Sequence, residues 1–147
     1  LRLTYREYIK QTGTIMIFAL FLACGDKNTD TAVEQNTDNP YLDNPATFTE
    51  IENELLGVSC AFNSCHAAAA GGLSLDGQTD YERIIDVASP MTGEALVVPG
   101  DADASYLYKK IIGTPDITGD IMPPGVGVSQ LQEQMLESWI NDGAKNN

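Results

Sequence analysis

Between Val58 and Gly72 the chain reads VSCAFNSCHAAAAGG. The stretch holds two of the three cysteines, Cys60 and Cys65, and the only histidine, His66. Two thiols and an imidazole thus fall within seven positions, and the six residues that follow are all alanine or glycine. What needs two thiols and an imidazole packed so closely, with small residues crowded behind them, decides how the rest of the chain is read.

Four chemistries compete for these residues. A c-type haem is attached when two thiols add to its vinyl groups and the histidine directly after the second cysteine ligates the iron. The common spacing puts two residues between the cysteines; here there are four, Ala61 to Ser64, and this longer insert must loop outward if both sulfurs are to reach one macrocycle. A Cys60–Cys65 disulfide suits an oxidising exported compartment. A structural zinc site would want a fourth ligand, and the chain has no other Cys or His well placed to supply it. The cysteines could also be plain buried thiols.

A haem iron held by histidine commonly takes a second axial ligand, and a methionine thioether raises its reduction potential. Such a ligand must come from well downstream. Met122 lies in GDIMPPGVG, residues 119–127, where Pro123 and Pro124 restrict the backbone and lower the entropy lost in fixing the side chain. Met91, after Pro90, is its rival, while Met135 belongs to the apolar stripe of the last helix.

On either side of this centre the apolar spacing is helical. Phe48, Ile51 and Leu55 predict a helix capped by Thr47. A second is expected around Tyr81 to Val87, with Thr79 or Asp80 as cap, and a third from Ala102 to Ile112, opened by Pro99, Gly100 and Asp101 and closed by Gly113. In the fourth, Ser129 and Gln132 form a capping box, Leu131, Met135, Leu136, Trp139 and Ile140 share a stripe, and Gly143 ends it. Strand alternation and internal repeats are absent from the pattern. The reading is an all-α domain over 47–147 of about four helices and long loops, with a core small enough that a planar apolar cofactor would help fill it.

The segment before the domain reads as targeting and tether. Arg2, Arg6 and Lys10 precede an apolar run, Thr14 to Ala23, that is short for a membrane span. LFLACG, ending at Gly25, resembles a bacterial lipoprotein signal, with Phe21 where leucine is usual, which implies a signal peptide over 1–23 and lipidation of Cys24. Residues 24–46 are dominated by Asp, Asn, Thr and Pro and are expected to be a disordered tether spanning about 25 Å. The expected location is therefore outside the cytoplasm, on a bacterial membrane through the lipid, facing the periplasm or the cell exterior.

The chain carries 8 Lys and Arg against 21 Asp and Glu, a net charge of −13. Such a field repels phosphate backbones and anionic headgroups, so nucleic acid is not an expected partner and a protein with a basic patch is.

Taken together, the helix before the cysteines, the CH pair, GLSLDG (72–77), VVPGDADASYLYKKIIG (97–113), IMPPG (121–125) and LESWINDGA (136–144) resemble the small cytochrome c domains of exported bacterial proteins, including the planctomycete-type cytochrome c family. The resemblance covers about residues 47–147. It implies a class I-like fold whose first and last helices cross near Trp139, one covalent haem c on Cys60 and Cys65, proximal His66, distal Met122, and Leu73 and Leu75 lining the haem pocket. It also implies an electron-transfer protein rather than an enzyme: no set of nucleophile, base and orienter is legible, and Met122 would close the sixth position. The alternative, of a different class, is a haem-free structural or binding lipoprotein with a Cys60–Cys65 disulfide.

Overall fold

A computed structural model describes residues 39–77 and 80–147. The expected signal segment, Cys24 and the tether up to residue 38 lie outside the described residues. Helices α1 (Phe48–Ile51), α2 (Asp80–Ile84), α3 (Tyr106–Ile112) and α4 (Gln130–Asn141) are joined by long loops. Among the described residues only isolated bridges occur, such as Ile85 with Val97, and no strands. The class is all-α. No helix among the described residues is long and apolar enough to cross a membrane.

The start of α1 follows from its sequence. Thr47 accepts a hydrogen bond from the Glu50 amide while the Glu50 carboxylate accepts one from the Thr47 amide, a closed capping box. The helix then widens without a break into a π-helix over Glu52–Cys60. The Ala61 amide reaches back five residues to the Leu56 carbonyl (2.8 Å). This pitch turns Leu55, Leu56 and Cys60 inward together.

Helix α4 holds the wide helix in place. Gln132 accepts the Ser129 amide through its side-chain oxygen (3.0 Å), and its side-chain NH₂ donates to the Glu54 carbonyl (2.7 Å) and to Ser59 Oγ (3.3 Å). A glutamate at 132 could cap α4 but could not donate, so the amide does two jobs that the capping pattern alone describes as one.

Where α1, α2 and α4 meet, three aromatic rings close the core. Phe48 meets Tyr81 edge-on at 5.1 Å and Trp139 at 5.5 Å, with Tyr81 and Trp139 6.5 Å apart. The C-terminal residues fold over them. Trp139 Nε1 donates to the Lys145 carbonyl and the Tyr81 hydroxyl to that of Ala144, both at 2.9 Å. Asn147 then accepts the amides of Phe48 and Thr49, two of the donors that the first turn of α1 leaves unpaired.

Four expectations need correction. Helix α3 starts at Tyr106, not Ala102. Asp101 accepts the Ala104 amide, and the buried Ser105 hydroxyl bonds the Val98 amide (2.9 Å) and the Asp101 carbonyl (2.7 Å), so the preceding residues form a turn. Helix α2 stops at Ile84 instead of reaching Val87, because the Asp86 amide goes to the Val97 carbonyl and Asp86 takes a left-handed conformation. Leu131 sits in the first turn of α4 at 48% exposure, off the buried face of Met135, Leu136, Trp139 and Ile140. Finally, order begins before residue 47. Tyr41 packs on the core, Ala46 is buried, and the Ala46 amide donates to Ser138 Oγ (3.3 Å). Tyr41 and Ala46 find the core to pack on while Leu42 stays exposed, a distinction that a compositional reading of the tether averages away.

Candidate functional site

The π-helix delivers Cys60 to the domain interior. Its thiol is buried, and burial first and the neighbouring Cys65 second push its pKa up to about 11. The chain then leaves the interior. The Cys65 amide closes a turn on the Phe62 carbonyl (2.8 Å), and Phe62, Asn63 and Ser64 stand exposed. The four-residue insert loops outward, and Cys65 returns half-buried to the cavity that Cys60 also lines. Both cysteines are free thiols.

His66 opens the first of two single 3₁₀ turns, His66–Ala68 and Ala70–Gly72. Ala69, Gly71 and Gly72 all have positive φ. A chain that reverses this sharply needs residues with little or no side chain, which is why alanine and glycine follow the histidine. The reversal brings the Leu73 carbonyl to 3.1 Å from His66 Nδ1, and the Leu75 amide to 3.0 Å from the His66 carbonyl. A carbonyl can only accept, so Nδ1 carries the proton and, in the neutral ring, Nε2 keeps its lone pair. At Gly72 a Cβ would come within 3.0 Å of the Pro90 ring, so the turn also seats the loop that carries Met91.

The loop after this turn is held from α2. Asp80, buried, accepts the amides of Asp76 (2.7 Å) and Gly77 (3.2 Å), and Arg83 donates to the Ser74 carbonyl and pairs with Asp76 at 2.7 Å. Leu75 is thereby fixed in the core and Leu73 beside it.

Met122 arrives from the other side of the sequence, on the loop after α3. Its amide donates to the Lys110 carbonyl (2.8 Å), and its side chain is half-buried. The two halves meet at a partly open cavity of about 370 Å³ with mostly apolar walls. Cys60, Cys65, His66, Leu73, Leu75 and Met122 all line it. Met91 lines it as well, but from the rim, at 62% exposure. Cys60, Cys65 and His66 do not converge as a three-ligand metal cluster, and no other trio of His, Cys, Asp or Glu does so among the described residues.

The sequence reading missed one wall. Tyr106, Leu107, Lys110 and Ile111 line the cavity from α3, with Leu96 and the buried Ser89 beside them. Their i, i+1, i+4, i+5 spacing marks one face of a helix, and that signal was available in YLYKKI.

No family model, no curated protein and no solved structure matches the chain. The functional reading therefore rests on the residues of this cavity.

Proposed function

We propose that the domain is a monohaem c-type cytochrome of class I-like fold, an electron-transfer protein exported and held at a bacterial membrane through lipidated Cys24. The observation that carries this reading is convergence. Two thiols, one imidazole and one thioether, drawn from segments more than fifty residues apart, share one apolar cavity.

The donor chemistry fits the group. Cys60 and Cys65 both line the cavity while Phe62, Asn63 and Ser64 between them stand exposed, and these two thiols would carry the thioether bonds. His66 offers Nε2 while the Leu73 carbonyl orients the ring through Nδ1, a common way to aim an imidazole at a metal. Leu75, Leu96 and Ile111 give the cavity apolar lining, and the thioether of Met122 would be the soft donor that holds the iron with His66. When bound, the haem supplies an iron that gains and loses one electron; the protein's part is ligation, burial and orientation. His66 and Met122 would hold the iron between them, and on that reading we assign electron transfer and no catalytic step.

Expression of the full chain in a host with cytochrome c maturation machinery tests this. The expected product is coloured, stains for haem in a denaturing gel, and has the mass of one haem added. A colourless product in which Cys60 and Cys65 form a disulfide would establish the haem-free alternative instead.

A further inference from the structure

Helix α3 grips the Met122 loop at three points spaced i, i+4 and i+7. At Tyr106, the side-chain hydroxyl accepts the Thr118 amide at 3.1 Å. At Gly113, in the left-handed conformation that closes the helix, a Cβ would lie 2.7 Å from Ile121 Cγ2, so Ile121 sits where no side chain can be. Between them, Lys110 acts with both ends. Its carbonyl accepts the Met122 amide (2.8 Å), and its ammonium donates to the carbonyls of Thr118 (2.9 Å) and Asp120.

The use of this lysine differs from that of its neighbour. Lys109 pairs with the carboxylates of Glu94 (2.9 Å) and Asp116 (3.1 Å), as a surface lysine in an acidic domain ordinarily would. Lys110 bonds two backbone carbonyls of one short loop and lines the cavity. Two bonds from one cation to residues 118 and 120, plus a third from its own carbonyl to residue 122, fix the backbone immediately before the methionine.

We infer that Lys110 is a positioning residue that holds Met122 across the cavity; the inference rests on the haem reading above. A thioether is a weak ligand, and its occupancy depends on how much of the time its loop is closed. The clamp sets that fraction, so a ligand competing for the sixth position meets an opening cost that Lys110 imposes.

The test uses the full haem-loaded chain in the wild-type, Lys110→Leu and Lys110→Arg forms, with Lys145→Gln as a surface control. Hydrogen exchange is followed over residues 114–127 and over α4, and imidazole is titrated into the ferric protein. In Lys110→Leu, exchange around residue 122 should quicken about tenfold and apparent imidazole affinity should rise by a similar factor, with α4 unchanged. Lys110→Arg should return both toward wild type, and Lys145→Gln should alter neither. Unchanged exchange in Lys110→Leu overturns the clamp, as does quickening shared equally by α4. Faster exchange without tighter imidazole binding overturns the positioning role. A haem-free product overturns the functional reading, and is distinguished from the other failures because the clamp fails only in protein that contains haem.

Discussion

Around Trp139 the large side chains meet one another, whereas around His66 and Met122 they meet a cavity. At the aromatic end, Phe48, Tyr81 and Trp139 stack within 6.5 Å, and the C-terminal residues satisfy the ring N–H and hydroxyl. At the cavity end, Leu73, Leu75 and Ile111 face space of about 370 Å³, and the backbone around them is held by polar clamps: Asp80 on one loop, Lys110 on the other. One end is closed by ring packing and by hydrogen bonds from the C-terminal residues. The other is a cavity whose bordering loops are fixed through their backbone.

The largest test of this contrast is Trp139→Ala. Removing a fully buried indole should cost about 3–5 kcal/mol, measured by urea denaturation; on the haem reading the cost should be the same with and without haem. A loss confined to the haem-loaded protein would mean that the aromatic end is not independent and would break the comparison.

The same contrast explains what the sequence made legible. The framework came through because its signals are local: Thr47 with Glu50, Ser129 with Gln132, and Gly113 as a left-handed cap each act within one turn. The early end of α2 did not, because the Asp86 amide is taken by Val97, a partner remote in sequence that periodicity cannot see. The late start of α3 turns on competition between the Ser105 hydroxyl and the helix for nearby backbone groups, which composition does not resolve. At the cavity, Cys60, Cys65 and His66 stand out in the sequence by type and Met122 by its two following prolines, and all four line it. Lys110 does not stand out, because a lysine in an acidic chain reads as a surface charge until its carbonyl partners are known.

A second test stays at the cavity. On the haem reading, Met122→Ala should lower the reduction potential and let small exogenous ligands bind, while Met91→Ala leaves the visible spectrum nearly unchanged. The expectation follows from anchorage: Met122 is tied to α3 through its amide, and Met91 stands at the rim. Loss of the methionine-ligated spectrum in the Met91 variant would reverse the assignment.

A third test returns to the packed framework through pH. Tyr108 is buried between α3 and α4, and burial first, then the Glu137 carboxylate, push its phenol from an ordinary 10 up to about 12. The folded state therefore holds the proton more tightly than the unfolded chain. Its contribution is fully present below pH 10 and is lost as pH rises from 10 through about 12. The amount is on the order of 2 kcal/mol, and Tyr108→Phe should flatten the stability curve over that window. An identical alkaline loss in the variant would place the titrating group elsewhere.

The smallest effect concerns the surface that surrounds both ends. From residue 47 onward the chain has four basic residues (Arg83, Lys109, Lys110 and Lys145) against 15 acidic ones, a net of −11. All four are engaged by the domain itself: Arg83 with Asp76, Lys109 with Glu94 and Asp116, Lys145 with Asp142, and Lys110 with carbonyls. The domain's net charge is negative, and on the haem reading we propose a redox partner with a basic docking patch. Exposed charges are screened over about 8–10 Å at ordinary ionic strength, so electron exchange with a basic partner should slow steeply as salt rises. Exchange with an acidic partner should start slow and quicken. Stopped-flow rates across a salt series distinguish the two, and rates indifferent to salt for both partners would assign the acidity to solubility, leaving the cavity and its ligands as they are.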